Sequence, residues 1–101
     1  MRVEPYLMFG GRADEAIAFY QQAIGAKVAM VLRFAESPDK NHPVPLPPNW
    51  GQKVMHCGIT VGDTLVMLSD GMCAEPTTYS GVSLSITADT EAQAKKMFDA
   101  L

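Results

Sequence analysis

The sequence predicts an α+β domain whose elements run β-α-β-β-β and then β-α. Two patterns carry that prediction. Residues 13–24 repeat apolar side chains at helical spacing, and two β-rich runs, Lys53–Val61 and Thr64–Asp70, flank a Gly62-Asp63 pair suited to a two-residue hairpin turn. At 101 residues the chain is long enough for one small domain with a thin core.

The elements follow in order. Val3–Phe9 is apolar and stopped by Gly10-Gly11, which reads as a short strand and a turn. The helix then places Ala13, Ala16, Ile17, Tyr20 and Ala23/Ile24 on one stripe, with Asp14 and Glu15 in its first turn and Gly25 as its stop. Lys27–Ala35 alternates Val28, Met30, Leu32 and Phe34 against Ala29, Val31 and Arg33, a strand expected to be largely buried on both faces. Glu36–Gln52 holds five prolines and Trp50 and reads as a long loop. After the hairpin comes a loop, Gly71–Gly81, and then Val82–Thr87 reads as a further strand. Thr90 and Gln93 form a capping-box signal for a helix with Ala94, Met97, Phe98 and Leu101 on one face. The two helical segments superpose at an offset of 76 residues, matching Glu15 to Glu91, Ala16 to Ala92 and Ala18 to Ala94. Residues 1–101 thus form one domain, with 1–70 a first module and 82–101 the start of a second that is truncated or completed by another subunit.

Several function classes drop out. Eight basic residues scattered among eleven acidic ones give no footprint for nucleic acid. No apolar run is long enough for a membrane span, and no signal segment opens the chain. With only Cys57 and Cys73, a reducing cytoplasm fits better than a disulfide framework. No dinucleotide fingerprint, phosphate-binding loop or Gly-x-Ser-x-Gly elbow is present.

The third strand carries the chemistry. His56 and Thr60 share the face opposite Cys57, Ile59 and Val61, so they are expected over a concave side away from the helices. His56 and Cys57 point to opposite faces, which disfavours a shared metal. An unperturbed imidazole titrates near neutrality, making His56 the best general acid or base. Asp70 reads either as its orienting partner or as a cap on the Gly71 turn. Leu7, Phe9, Thr60 and Leu68 are the expected walls of a substrate cavity, and Trp50 is either a lid or a dimer anchor. Arg33 is either an edge residue that reaches solvent or an anion anchor.

Pro5-Tyr6-Leu7-Met8-Phe9-Gly10-Gly11, Glu15-Ala16-Ile17-Ala18-Phe19-Tyr20, Gly25, Met55-His56, Leu68-Ser69-Asp70 and Tyr79-Ser80-Gly81 resemble the PhnB-like branch of the vicinal oxygen chelate superfamily, the glyoxalase/bleomycin resistance/dioxygenase group. The resemblance spans essentially the whole chain. It implies paired βαβββ modules curled around a cavity, usually in a homodimer, and in many members a divalent metal that polarises substrate oxygens. Here Pro5 stands where metal-dependent members place their first histidine, no Glu lies within Thr64–Ser69, and the ligands of a second module fall beyond Leu101. The expectation is therefore a small-molecule ligand bound with no metal and no cofactor. PhnB-like sequences also carry a 3-demethylubiquinone-9 3-methyltransferase label, but this chain has no loop for S-adenosylmethionine. Three readings remain open: an enzyme using His56, a binding or sequestering protein, and an assembly unit. Metal-dependent lyase or dioxygenase activity with ligands from outside the chain is a further alternative.

Overall fold

The computed structural model describes residues 1–37 and 46–101. Strand β1 (Tyr6–Met8), helix α1 (Ala13–Ile24), strands β2 (Lys27–Arg33), β3 (Val54–Val61) and β4 (Thr64–Ser69), and helix α2 (Glu91–Ala100) follow one another. The strands form one sheet in the order β1-β4-β3-β2. β3 and β4 are the predicted hairpin, with Val61 opposite Thr64 and Cys57 opposite Leu68. β1 joins parallel to β4, pairing Leu7 with Leu68. That pairing requires α1 to cross one face of the sheet.

The helix stripe does what its spacing predicts. Ala13 and Ile17 pack with Ala26 on Val54, Cys57, Ile59 and Leu68, while Leu7, Phe9, Tyr20, Ile24, Val31, Val61 and Val66 close the periphery. Gly25 ends α1 in the left-handed conformation, φ 67°, where a side chain would be strained. The start of α1 is less ordinary. Arg12 occupies the N-cap and offers no side-chain acceptor. The acceptor comes from Asp70, 1% exposed, whose Oδ1 takes the N–H of Gly11 at 2.9 Å and of Ala13 at 2.8 Å. Its Oδ2 takes the N–H of Val54 at 2.8 Å. One carboxylate therefore fastens the helix N-terminus to the first residue of β3 and the end of β4. Arg33 joins α1 to the sheet from outside, with both terminal nitrogens on Asp14 at 2.9 and 3.0 Å and one on the carbonyl of Gln52 at 2.7 Å. Of the two roles read for Arg33, this is the edge residue that reaches solvent, ion-paired there with Asp14, and not the anion anchor.

Several expectations need correction. β1 is shorter than Val3–Phe9, and Val3 is exposed. β2 is not buried on both faces: Lys27–Met30 are exposed, because this is the edge strand and only its Val31 reaches the core. No described strand covers Val82–Thr87. The alternation is there, but Val82, Leu84 and Ile86 are 77, 56 and 45% exposed, and a strand exists only where a neighbour completes its ladder. Leu84 and Ile86 instead border, with Met97 of α2, a cavity of about 710 Å³ against Leu7, Val61 and Val66. The α2 cap forms, Thr90 Oγ1 accepting from Gln93 N at 3.1 Å, while Gln93 Oε1 takes the N–H of Asp89 at 2.7 Å. The predicted apolar stripe of α2 is little used: Met97 is half-buried, and Ala94, Phe98 and Leu101 are exposed. Within the long loop, Pro38, Pro43 and Pro45 lie outside the described residues, and the flanks form short 3₁₀ turns at Phe34–Glu36 and Trp50–Gln52.

Two stability predictions follow from this frame. Asp70→Ala leaves three N–H groups without their acceptor and should cost more than about 3 kcal/mol, read as a lost or strongly shifted urea transition. A cost under about 1 kcal/mol would contradict the role given to Asp70. Asp14, hydrogen-bonded to Arg33, has its pKa held below 3.8, so the pair stabilises the fold above that value and stops doing so as pH falls through the lowered one. Both side chains meet water, so Asp14→Asn should cost less than about 1 kcal/mol at neutral pH. That difference should vanish in acid, and one that persists there would exclude the ion pair as its source.

Candidate functional site

The hairpin register decides which residues look away from α1. His56, Gly58 and Thr60 of β3 lie on the face opposite Cys57 and Ile59, and across the ladder Gly58 pairs with Met67 and Thr60 with Leu65. β1 adds Tyr6, in register with Met67, and Met8, while β2 adds Met30 opposite Gly58 and Leu32 opposite His56. The result is an apolar floor with few polar groups. Leu65 and Met30 lie over Gly58, where a Cβ would meet Leu65 Cδ1 at 3.1 Å and Met30 Cγ at 3.9 Å. Tyr6, Met8 and Met30 are more than a third exposed, so this face opens to solvent.

His56 is half-buried at one end of the floor. Its Nδ1 lies 2.9 Å from the hydroxyl of Tyr6, and the two rings are tilted with centroids 5.4 Å apart. Burial pushes the Tyr6 phenol above its ordinary value of 10.0, so the hydroxyl keeps its proton at neutral pH. With that hydroxyl as donor, the ring proton of neutral imidazole sits on Nε2, which is left for a bound molecule. The pair offers one positioned donor above methionine and leucine side chains, which adapt to guests of varied shape.

The other expected site residues separate. Thr60 shares the open face with His56. Leu7, Phe9 and Leu68 do not: all three pack on the α1 side, and Leu68 is fully buried there. Asp70 neither orients His56 nor caps the Gly71 turn. Its two oxygens are taken by the three N–H groups named above on the far face, while Ser69 Oγ accepts from Gly71 N at 2.9 Å. Trp50 is not a lid. It is 5% exposed, its indole Nε1 donates to the Gly71 carbonyl at 2.8 Å, and the Lys53 ammonium sits 5.8 Å from its ring centre. Cys57 is a buried core residue whose thiol pKa burial pushes up, and Cys73 is exposed. Sequence reasoning missed Tyr6. The two-residue turn alone sets the β3–β4 register, but the parallel pairing that brings Tyr6 beside His56 has no local signal.

Metal chemistry was a further possibility for this fold, and the donor set here does not fit it. The open face offers one imidazole with a phenol, and no three His, Cys, Asp or Glu side chains among the described residues converge.

No protein-family model matches the chain. All of it aligns with protein PA1353 from Pseudomonas aeruginosa, at 34% identity and a TM-score of 0.80, over 71% of that chain. The chain belongs to the family of PA1353. Its fold is of the glyoxalase/bleomycin resistance type. The PhnB protein from Bacillus cereus, whose name carries a 3-demethylubiquinone-9 3-methyltransferase designation, matches at 25% identity and a TM-score of 0.73 over 73% of its length. Protein YjdN of Escherichia coli K12 is 29% identical across the whole chain and 72% of its own length.

Tautomer and partner can be checked together. The ¹⁵N spectrum of the neutral His56 ring should show Nδ1 unprotonated, and Tyr6→Phe should move that nitrogen's resonance. A protonated Nδ1, or no response to Tyr6→Phe, would contradict the assigned donor.

Proposed function

We propose that the chain is a PhnB-like member of the vicinal oxygen chelate superfamily that binds a small, largely apolar organic molecule on the open face of its sheet. The observation that carries this reading is the His56–Tyr6 pair standing beside a solvent-open apolar floor of Met8, Met30, Leu65 and Met67. The Nε2–H orients the guest, the thioethers and leucine bury it, and Thr60 supplies a second polar point. Binding is favoured over turnover because among the described residues the face pairs His56 with no carboxylate. A reaction here would have to use His56 Nε2 as its acid or base.

The same reading makes residues 1–70 one βαβββ module and residues 82–101 the opening of a second. It has a second copy of the chain, in the cytoplasm, cover the exposed apolar residues Val28, Val82 and Leu84. Sedimentation should then give twice the mass of 10.9 kDa.

The uncharged fluorescent ketone 6-propionyl-2-dimethylaminonaphthalene, whose carbonyl oxygen accepts from Nε2–H, tests the site. It should bind at one saturable site, and His56→Ala should weaken it by about tenfold or less, the worth of one hydrogen bond. Met30→Glu, at an exposed position of the edge strand, should abolish binding at little cost in melting temperature. Undiminished binding in both variants would place the ligand elsewhere.

A further inference from the structure

A second cavity, of about 690 Å³, lies on the other side of the molecule, between the first half of α1 and the segment around residues 74–79. Its walls include Phe9, Phe19, Tyr20 and Tyr79. The rings meet edge to face, Phe9 with Tyr79 at 6.5 Å and Phe19 with Tyr20 at 5.4 Å between centroids. The Tyr79 hydroxyl donates to the Met8 carbonyl, which holds that ring against the end of β1. At the mouth, Arg12 binds Glu15 through two nitrogens, at 3.0 and 2.8 Å.

The size suits a small ligand, and the lining narrows its chemistry. An aromatic ring presents a negative face, and several around one space attract an organic cation more than an uncharged molecule of the same shape. The chain's net charge of −3 acts in the same direction. Arg12 opposes it, but Glu15 already engages that guanidinium, so the ion pair presents little net charge. A hydrated metal ion would find no converging carboxylates here, whereas a methylated ammonium loses little hydration on entering. We propose that this aromatic cavity is a second binding site, for a small organic cation such as an alkylated ammonium. It lies on the α1 side of the sheet and does not include His56, sharing only Met8 with the open-face site.

Choline and dimethylbutanol, in which a tert-butyl group replaces the trimethylammonium, separate charge from shape. In an NMR titration choline should shift the ring resonances of Phe19 and Tyr79 saturably, and dimethylbutanol should bind at least fivefold more weakly. Phe19→Leu alters an exposed ring outside the core and should weaken choline several-fold. Glu15→Gln should also weaken it, and Arg12→Gln, which frees the carboxylate, should strengthen it. His56→Ala should change none of this. Equal binding of the two probes, no saturable shift with choline, or insensitivity to Phe19→Leu would overturn the proposal.

Discussion

One buried carboxylate organises this fold. Asp70 receives three N–H groups from two places in the chain, Gly11 and Ala13 at the start of α1 and Val54 at the start of β3, which are 59, 57 and 16 residues away. Hydrogen bonds to a charged acceptor are among the stronger ones in proteins, and each of these donors would otherwise go unpaired in an apolar setting. With total stabilities of only about 5–15 kcal/mol, such a node cannot be replaced by diffuse packing. It sets where α1 begins, and so which face of the sheet the helix covers. The opposite face, with His56, is left open as a consequence.

The two faces then differ in kind. The covered face is filled by aliphatic side chains from helix and strands, with Cys57 and Leu68 at its centre. The open face has a polar pair at one end, methionines around it and no side chain at Gly58. The imidazole hydrogen-bonded to phenol on that face is suited to holding a neutral acceptor group. Trp50 and Lys53 serve the frame: the indole ties down the Gly71 turn, and the ammonium donates to the Gly11 carbonyl at 2.8 Å.

What could be read from the sequence was local. The stripe of α1, its Gly25 stop, the two-residue hairpin turn and the Thr90 cap each depend on residues within a few positions of one another, and all are present. Hairpin counting also places His56 opposite Ser69, which already separates it from Leu68 and Asp70. The grouping of His56 with Leu7, Phe9 and Leu68 failed because it ignored that count and the parallel register of β1. The role of Asp70 was hidden for another reason: a carboxylate reaching back to residues 11 and 13 leaves no pattern near residue 70, only a missing cap at Arg12. Val82–Thr87 shows the converse error, since alternation marks a segment fit to be a strand and cannot supply its neighbour.

The central claim is that the open face, rather than the covered one, receives the ligand. Methyl spectra of the methionines during titration with 6-propionyl-2-dimethylaminonaphthalene test this most directly, because Met30 and Met67 sit on that face and Met97 borders the cavity on the other. The account predicts that the Met30 and Met67 methyl resonances shift together with one dissociation constant while Met97 stays in place. Movement of Met97 with the other two unchanged would contradict it.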